Sequence, residues 1–285
     1  MTDKIPLCKH EGNTYAGIPT DVDVDIVVPV YNEQAELGSS IVLLMELLNR
    51  PNAKMQGVTW QIVIADNASN DQTWDIAMAL TRDYPNAVRA VRIPAKGRGR
   101  ALKTAWGTSQ ARVMAYMDVD LSTDTNQIPE LIIPILEGSA DVAFGSRLLP
   151  ESHIERCLKR DVISRTYNFM LQHYLHVSFK DAQCGFKAIS SDARDALLDS
   201  IEDNGWFFDT ELLVRAERLG IATREIPVRW REDPGTTVHI IDTVRKDLQG
   251  MYRLKHEAQA NAHAGGGNGG VAGKPAYRGT VTAGE

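Results

Sequence analysis

Val113-Met-Ala-Tyr-Met-Asp-Val-Asp120 is a short apolar run that ends on two acids one residue apart. Such a run, bounded by polar residues, predicts a strand buried on both faces. Its neighbours repeat the pattern. Strands are expected over 25–31 (Asp-Ile-Val-Val-Pro-Val-Tyr), 61–66 (Gln-Ile-Val-Ile-Ala-Asp), 88–93 and 141–145 (Asp-Val-Ala-Phe-Gly). Between them, helical spacing is expected over 34–49, with Leu37, Ile41, Leu44 and Leu48 on one side, and over 70–84 and 99–110. Alternating strands and helices imply right-handed crossovers and a mainly parallel, Rossmann-like sheet flanked by helices. The predicted fold class is therefore α/β, in a single domain. Ligands of such sheets bind where the C-terminal ends of the strands open into loops. The polar residues lie there: Tyr31-Asn32-Glu33 after one strand, Asp66-Asn67-Ala68-Ser69 after the next, Asp118-Val119-Asp120 after a third.

The chain has 285 residues, 43% of them hydrophobic and 24% charged, and a formal net charge of −6. This is the composition of a globular protein. It gives no reason to expect nucleic acid as a partner. Three cysteines without a CxxC pair suggest neither a zinc site nor a disulfide framework, and point to a reducing, cytoplasmic setting. No run approaches the roughly 20 apolar residues that span a bilayer. Residues 1–22 are polar and aperiodic and are expected to be a loose lead-in. Residues 23–257 form the predicted domain. Residues 258–285 turn to Gly, Ala and Asn and are expected to be a disordered tail.

Asp118 and Asp120 point the same way if the strand continues through them. Two carboxylates so placed suit a hard divalent cation, Mg²⁺ or Mn²⁺, bridging a diphosphate. The same residues also suit a turn or a helix cap. Asp66 can accept from a nucleobase edge or cap the following helix. Lys96-Gly-Arg-Gly-Arg100 is a basic, glycine-rich loop entering a helix, a setting for phosphate. In Trp206-Phe-Phe-Asp-Thr-Glu211, Asp209 and Glu211 suit orienting a sugar hydroxyl or the acceptor, Asp209 also suits an N-cap, and it is the base that a hydroxyl acceptor would need.

The set Val28-Pro-Val-Tyr-Asn-Glu33, Asp66-Asn-Ala-Ser-Asn-Asp71, Gly97-Arg-Gly99 and Asp118-Val-Asp120 resembles glycosyltransferase family 2, whose members have the GT-A fold. Asp181-Ala-Gln-Cys-Gly-Phe-Lys187, Trp206–Glu211 and Glu225-Ile-Pro-Val228 resemble its polyprenyl-phosphate branch, nearest to dolichyl-phosphate β-glucosyltransferases. The resemblance covers about residues 24–232. It implies that Pro29, Tyr31, Glu33 and Asp66 line the nucleotide pocket, with Arg98 at a position where relatives carry Lys. Asp118 and Asp120 would hold the metal-diphosphate. Ser122 stands where mannose synthases often have Gln, which favours UDP-glucose over GDP-mannose as donor.

On the acceptor side, Arg147 follows a strand, and Lys159, Arg160 and Arg165 enter a helix. Guanidinium forks suit a phosphate, and the resemblance implies that it is the phosphate of a polyprenyl phosphate. Relatives often carry a Ser-Lys pair where residues 233–239 stand here, and Arg229 or Arg231 is the substitute. The helix over 159–175 carries Ile163, Tyr167, Met170 and Tyr174, widened by Phe169, Leu171 and Leu175. That face suits either a membrane surface, with the protein peripheral to it, or the core. The implied reaction is inverting transfer of a hexose from a nucleoside-diphosphate sugar. A saccharide hydroxyl acceptor and a non-catalytic nucleotide-binding module stand as alternatives.

Overall fold

The computed structural model describes residues 7–10, 12–17, 21–155, 158–232 and 240–265. The predicted strands form β3 (Val24–Val30), β4 (Trp60–Asn67), β5 (Val88–Ile93), β6 (Val113–Met117) and β7 (Val142–Ser146). They are joined by α1 (Leu37–Leu48), α2 (Thr73–Asp83), α3 (Arg98–Gly107) and α4 (Ile128–Leu136). The second half adds β8 (His153–Glu155), α5 (Leu158–Leu175), β9 (Phe186–Ser190), α6 (Ser191–Leu197), α7 (Phe208–Leu219), β10 (Thr223–Pro227), β11 (Arg229–Arg231) and α8 (Ile240–Gly265).

Among the described residues nine strands make one sheet in the order β1-β2-β5-β4-β3-β6-β9-β7-β10, and β11 pairs with β8 apart from it. Here β1 is Leu7–His10 and β2 is Asn13–Ala16. Only β2 and β9 run against the others. The ends of β3, β4, β5, β6 and β7 therefore open on one edge. The strands alternate as their period requires. Val27, Val63 and Val91 face a core built with α3, α5, α7 and α8. Ile26, Val28, Ile62 and Ile64 face a second core under α1, α2 and α4.

The expected loose lead-in is corrected in part. Residues 7–16 hold the hairpin β1–β2, and β2 pairs with β5 through Thr14–Arg92, Tyr15–Val91 and Ala16–Ala90. Four-residue polar strands carry no readable period of their own; they are fixed by pairing against a buried neighbour. The domain boundary expected at 257 falls inside α8. Residues 266–285, most of the expected tail, and residues 233–239 lie outside the described residues.

The face expected on α5 divides. Tyr167, Leu171 and Leu175 pack into the core, whereas Val162, Ile163, Phe169, Met170 and Tyr174 are exposed. The exposed stripe continues onto α8 as Val244, Leu248 and Tyr252, at four-residue steps. Between the two helices lies a cavity of about 260 Å³, lined by Val162, Ile163, Met170, Val244 and Leu248, with Tyr167 and Asp247 beneath. Among the described residues no helix is long and apolar enough to cross a membrane.

Candidate active site

The turns after β3 and β4 are stitched to each other. Asn32 N–H donates to Ser69 Oγ at 3.0 Å, Asn70 N–H to Asn32 Oδ1 at 2.9 Å, and Glu33 N–H to Thr73 Oγ1 at 2.8 Å. Asn32 and Ala68 both adopt the left-handed conformation, which sharpens each turn. Pro29, Tyr31 and Glu33 are half-buried along this seam. Lys96 Nζ lies 3.6 Å from the centre of the Tyr31 ring. Asp66, fully buried, accepts from Ser69 N–H at 3.1 Å and meets Arg92 Nε at 3.2 Å, its register partner on β5. Burial outweighs these partners and raises its pKa.

The basic loop hangs from the next turn. Gly97 N–H donates to Asn67 Oδ1 at 2.6 Å. Gly97 and Gly99 are needed by their neighbours: a Cβ at either would run into Asn204 or Phe208. Gly99 and Arg100 N–H groups donate to the carbonyls of Gly205 and Asn204 at 3.1 Å each. Arg98, buried at the start of α3, is thereby aimed at two acids. It donates to Asp118 Oδ1 at 2.6 Å and to Asp209 Oδ2 at 2.5 Å. In this structure it fastens the turn after β6 to α7.

Asp209 has no position from which to act as a base. It is buried at the N-terminus of α7, bound to Arg98, to Lys187 Nζ at 3.1 Å and to the Tyr116 hydroxyl. Burial alone would raise its pKa, but Lys187 and Arg98 reverse the sign and hold it below the ordinary carboxylate value. Tyr116 and Lys187 face each other in register on β6 and β9. Sequence reasoning assigned neither a role. The signal for Lys187 was a lysine inside the apolar run Phe186-Lys-Ala-Ile189.

The expected strand continuation through Asp118 and Asp120 is corrected. β6 stops at Met117, Leu121 N–H returns to the Asp118 carbonyl at 3.2 Å, and Leu121 is left-handed. The two acids thus occupy a tight turn. Asp118 keeps 42% of its side chain exposed. Its carboxylate rests on Gly185, where any Cβ would overlap it. Asp120 Oδ1 accepts from Ser122 N–H at 2.9 Å. Among the described residues no group of three or more His, Cys, Asp or Glu is gathered for a metal. Two hard carboxylates at an open edge fit a cation whose remaining ligands come from a diphosphate.

Of the expected phosphate arginines, Arg147 is spent on Asp181. Its Nε and Nη2 reach the carboxylate at 2.7 and 2.9 Å, and its backbone N–H at 3.0 Å. Arg165 is exposed and held by Asp161 at 2.7 Å, and Arg229 by Asp124 at 3.2 Å. The side chains of Lys159 and Arg160 lie outside the described residues. Arg231 is exposed, 3.4 Å from Glu155. Gln183, two residues beyond Asp181, donates to Asp247 at 2.9 Å and so joins this loop to the floor of the α5–α8 cavity.

Glu211, fully buried, gathers the far side. It accepts from the N–H groups of Glu202 and Asp203 at 3.1 and 2.9 Å, and from Arg215 and Arg253. Burial would raise its pKa; Arg253 and these N–H groups bring it down to about 2.

The chain is similar to known glycosyltransferases. The glycosyltransferase AglD of Haloferax volcanii is 34% identical over 236 residues, which cover 83% of this chain and 37% of that protein, so the chain spans little more than a third of its length. The dolichyl-phosphate beta-glucosyltransferase of Dictyostelium discoideum is 26% identical, over 90% of this chain and 86% of its own. That of Homo sapiens is 26% identical, over 75% and 68%. Glucosyl-3-phosphoglycerate synthase from Mycobacterium tuberculosis, solved with uridine diphosphate, superposes with a TM-score of 0.62 at 19% identity, over 82% and 80% of the two chains. This likeness establishes the GT-A fold. Residues 25–198, which carry the stitched turns, the basic loop, the Asp118 turn and Lys187, match the family model of glycosyl transferase family 2, and the chain belongs to that family of glycosyltransferases.

Proposed function

We propose that this glycosyltransferase moves a hexose, glucose rather than mannose, from a nucleoside-diphosphate sugar to a polyprenyl phosphate, with inversion at the anomeric carbon. The observation that carries this reading is the exposed apolar face of α5 and α8. Its cavity connects through Asp247 and Gln183 to the loop that holds Arg147 and supports Asp118. An acceptor with a phosphate head and a prenyl tail matches such a surface. The locked state of Asp209 supports the same choice, because a phosphate monoester is already an anion and needs no base. The dolichyl-phosphate beta-glucosyltransferases among the relatives point the same way.

The donor would lie along the strand ends: nucleoside against Tyr31, Glu33 and Asp66, diphosphate over Asp118 and Asp120. These two acids would hold Mg²⁺ or Mn²⁺, which when bound neutralises the charge on the departing nucleoside diphosphate. The mycobacterial synthase was solved with Mn²⁺ and uridine diphosphate. Arg147, at the end of β7, would have to share its guanidinium between Asp181 and an acceptor phosphate. The apolar face would rest on the cytoplasmic surface of a membrane, as a peripheral contact.

The test is direct. Purified protein is incubated with labelled UDP-glucose or GDP-mannose, a divalent cation and a polyprenyl phosphate, and the product is extracted into organic solvent. Glucose label in the organic phase, dependent on the lipid, is the expected result. Label that remains in water on a saccharide would favour the hydroxyl-acceptor reading.

A further inference from the structure

Trp206 stands beside the cluster of Arg98, Asp118 and Asp209 with 48% of its surface exposed. The next two residues, Phe207 and Phe208, are buried completely, so the indole is the aromatic of this run left outside. It is nevertheless held in place. The turn that carries it is tied by Asp203 Oδ1, which accepts from Gly205 and Phe208 N–H at 2.6 and 3.1 Å. The turn is anchored again by the two bonds from Gly99 and Arg100. The Arg98 guanidinium lies 5.0 Å from the indole centre and 4.9 Å from the Tyr116 ring. Trp206 is thus one guanidinium away from Asp118.

We propose that Trp206 is the platform on which the transferred hexose stacks, and that it selects the configuration of that sugar. The inference rests on the donor half of the function above and is independent of the acceptor. Along the sheet the order is β4, β3, β6, β9. A nucleoside at β4 and β3 and a diphosphate at β6 leave the sugar on the β9 side, at the N-terminus of α7. Trp206 immediately precedes that helix. A pyranose offers a flat face of C–H bonds to an electron-rich aromatic ring. In an α-linked nucleotide-sugar the diphosphate is axial on one face of the ring, and glucose, with its C2, C3 and C4 hydroxyls equatorial, keeps the opposite face flat. Mannose at C2 and galactose at C4 each project an axial hydroxyl from that opposite face, which lifts the ring from an indole stacked there. Arg98 below supplies the complementary charge: pinned to two carboxylates, it fixes how deep the sugar can sit.

The experiment compares Trp206→Phe and Trp206→Ala with the wild type by calorimetry, each checked for fold by circular dichroism. Free nucleotide and its glucosyl, galactosyl and mannosyl derivatives are titrated with Mn²⁺, using the base that the wild type binds. The expected result is that Trp206→Ala weakens the glucosyl donor by about tenfold, changes the free nucleotide less than twofold, and loses the preference for glucose. Trp206→Phe should retain most of both. The indole fluorescence that Trp206→Phe removes should respond to the glucosyl donor and not to free nucleotide. An equal loss for nucleotide and nucleotide-sugar would overturn the proposal and leave Trp206 as a support for Arg98. Quenching by brominated phospholipid vesicles, with donor binding unchanged, would also overturn it and make the residue a membrane contact. Transfer to a hydroxyl acceptor would refute the lipid reading and leave these binding results as they are.

Discussion

Replacing Asp247 with Asn changes one atom in the floor of the α5–α8 cavity and removes one titration. Asp247 is 3% exposed. Gln183 Nε2 donates to its Oδ2 at 2.9 Å, and the Tyr167 hydroxyl lies beside the carboxyl. Burial pushes its pKa up to about 7, helped by the negative charges of Asp203 and Asp209 and opposed by Gln183 and the Tyr167 hydroxyl. In the unfolded chain it would titrate at the ordinary aspartate value of 3.8. Between these values the native state binds the proton and the unfolded state has lost it. Stability from this group is therefore complete below pH 4 and is lost as pH rises through 7. Integrating the linkage from pH 5 to pH 8 gives a loss of about 2–3 kcal/mol. For a domain of this size that corresponds to about 4–10 °C in Tm. The assay is urea unfolding of wild type and Asp247→Asn at pH 5, 6, 7 and 8. The difference between the two cancels every other titrating group. The variant should gain on the wild type steadily as pH rises. Two curves that stay parallel across this range would refute the reasoning, since they would mean that Asp247 is charged in the folded protein throughout.

Asp118→Asn and Asp120→Asn should each remove most transfer with little change in Tm, and EDTA should silence the wild type; full activity in EDTA would contradict the carboxylate-bound cation. Gly185→Ala should cost more than tenfold in kcat with a smaller effect on nucleotide affinity, measured by steady-state kinetics and calorimetry, because its Cβ displaces the Asp118 carboxylate. Asp209→Asn should act through the fold. It leaves Arg98 and Lys187 buried without their shared anion, a loss of about 3–5 kcal/mol readable in urea unfolding, whereas a residue acting only as a base would leave stability unchanged.

The parallel core was legible because its strands are short, mainly apolar runs, and length and composition separate these from helices. The location of the site was legible for the same reason: polar residues stop such runs at one edge. What escaped was long-range pairing. Arg98, Asp209 and Lys187 come from α3, α7 and β9, and no local pattern says that they share one cluster. Arg147 had the right residue type at a strand end, yet its partner Asp181 lies 34 residues away. The helical period of α5 revealed apolar residues but could not tell which stripe turns inward. That depended on α8, a polar-looking segment whose Val244, Leu248 and Tyr252 become a surface only beside α5.

The hairpin at the start of the chain has a consequence for how the protein behaves in a crowd of its own copies. Without β2, the edge of β5 along Ala90–Arg92 would offer unpaired amides to any passing strand, the usual route to aggregation. β1 and β2 move the boundary of the sheet outward, to a strand only four residues long, too short to template another chain. At the opposite boundary β10 ends on Pro227, which has no N–H to donate. Protection against edge pairing is thus written into segments far from the chemistry, and trimming residues 1–17 should leave the β5 edge open and raise the tendency to aggregate.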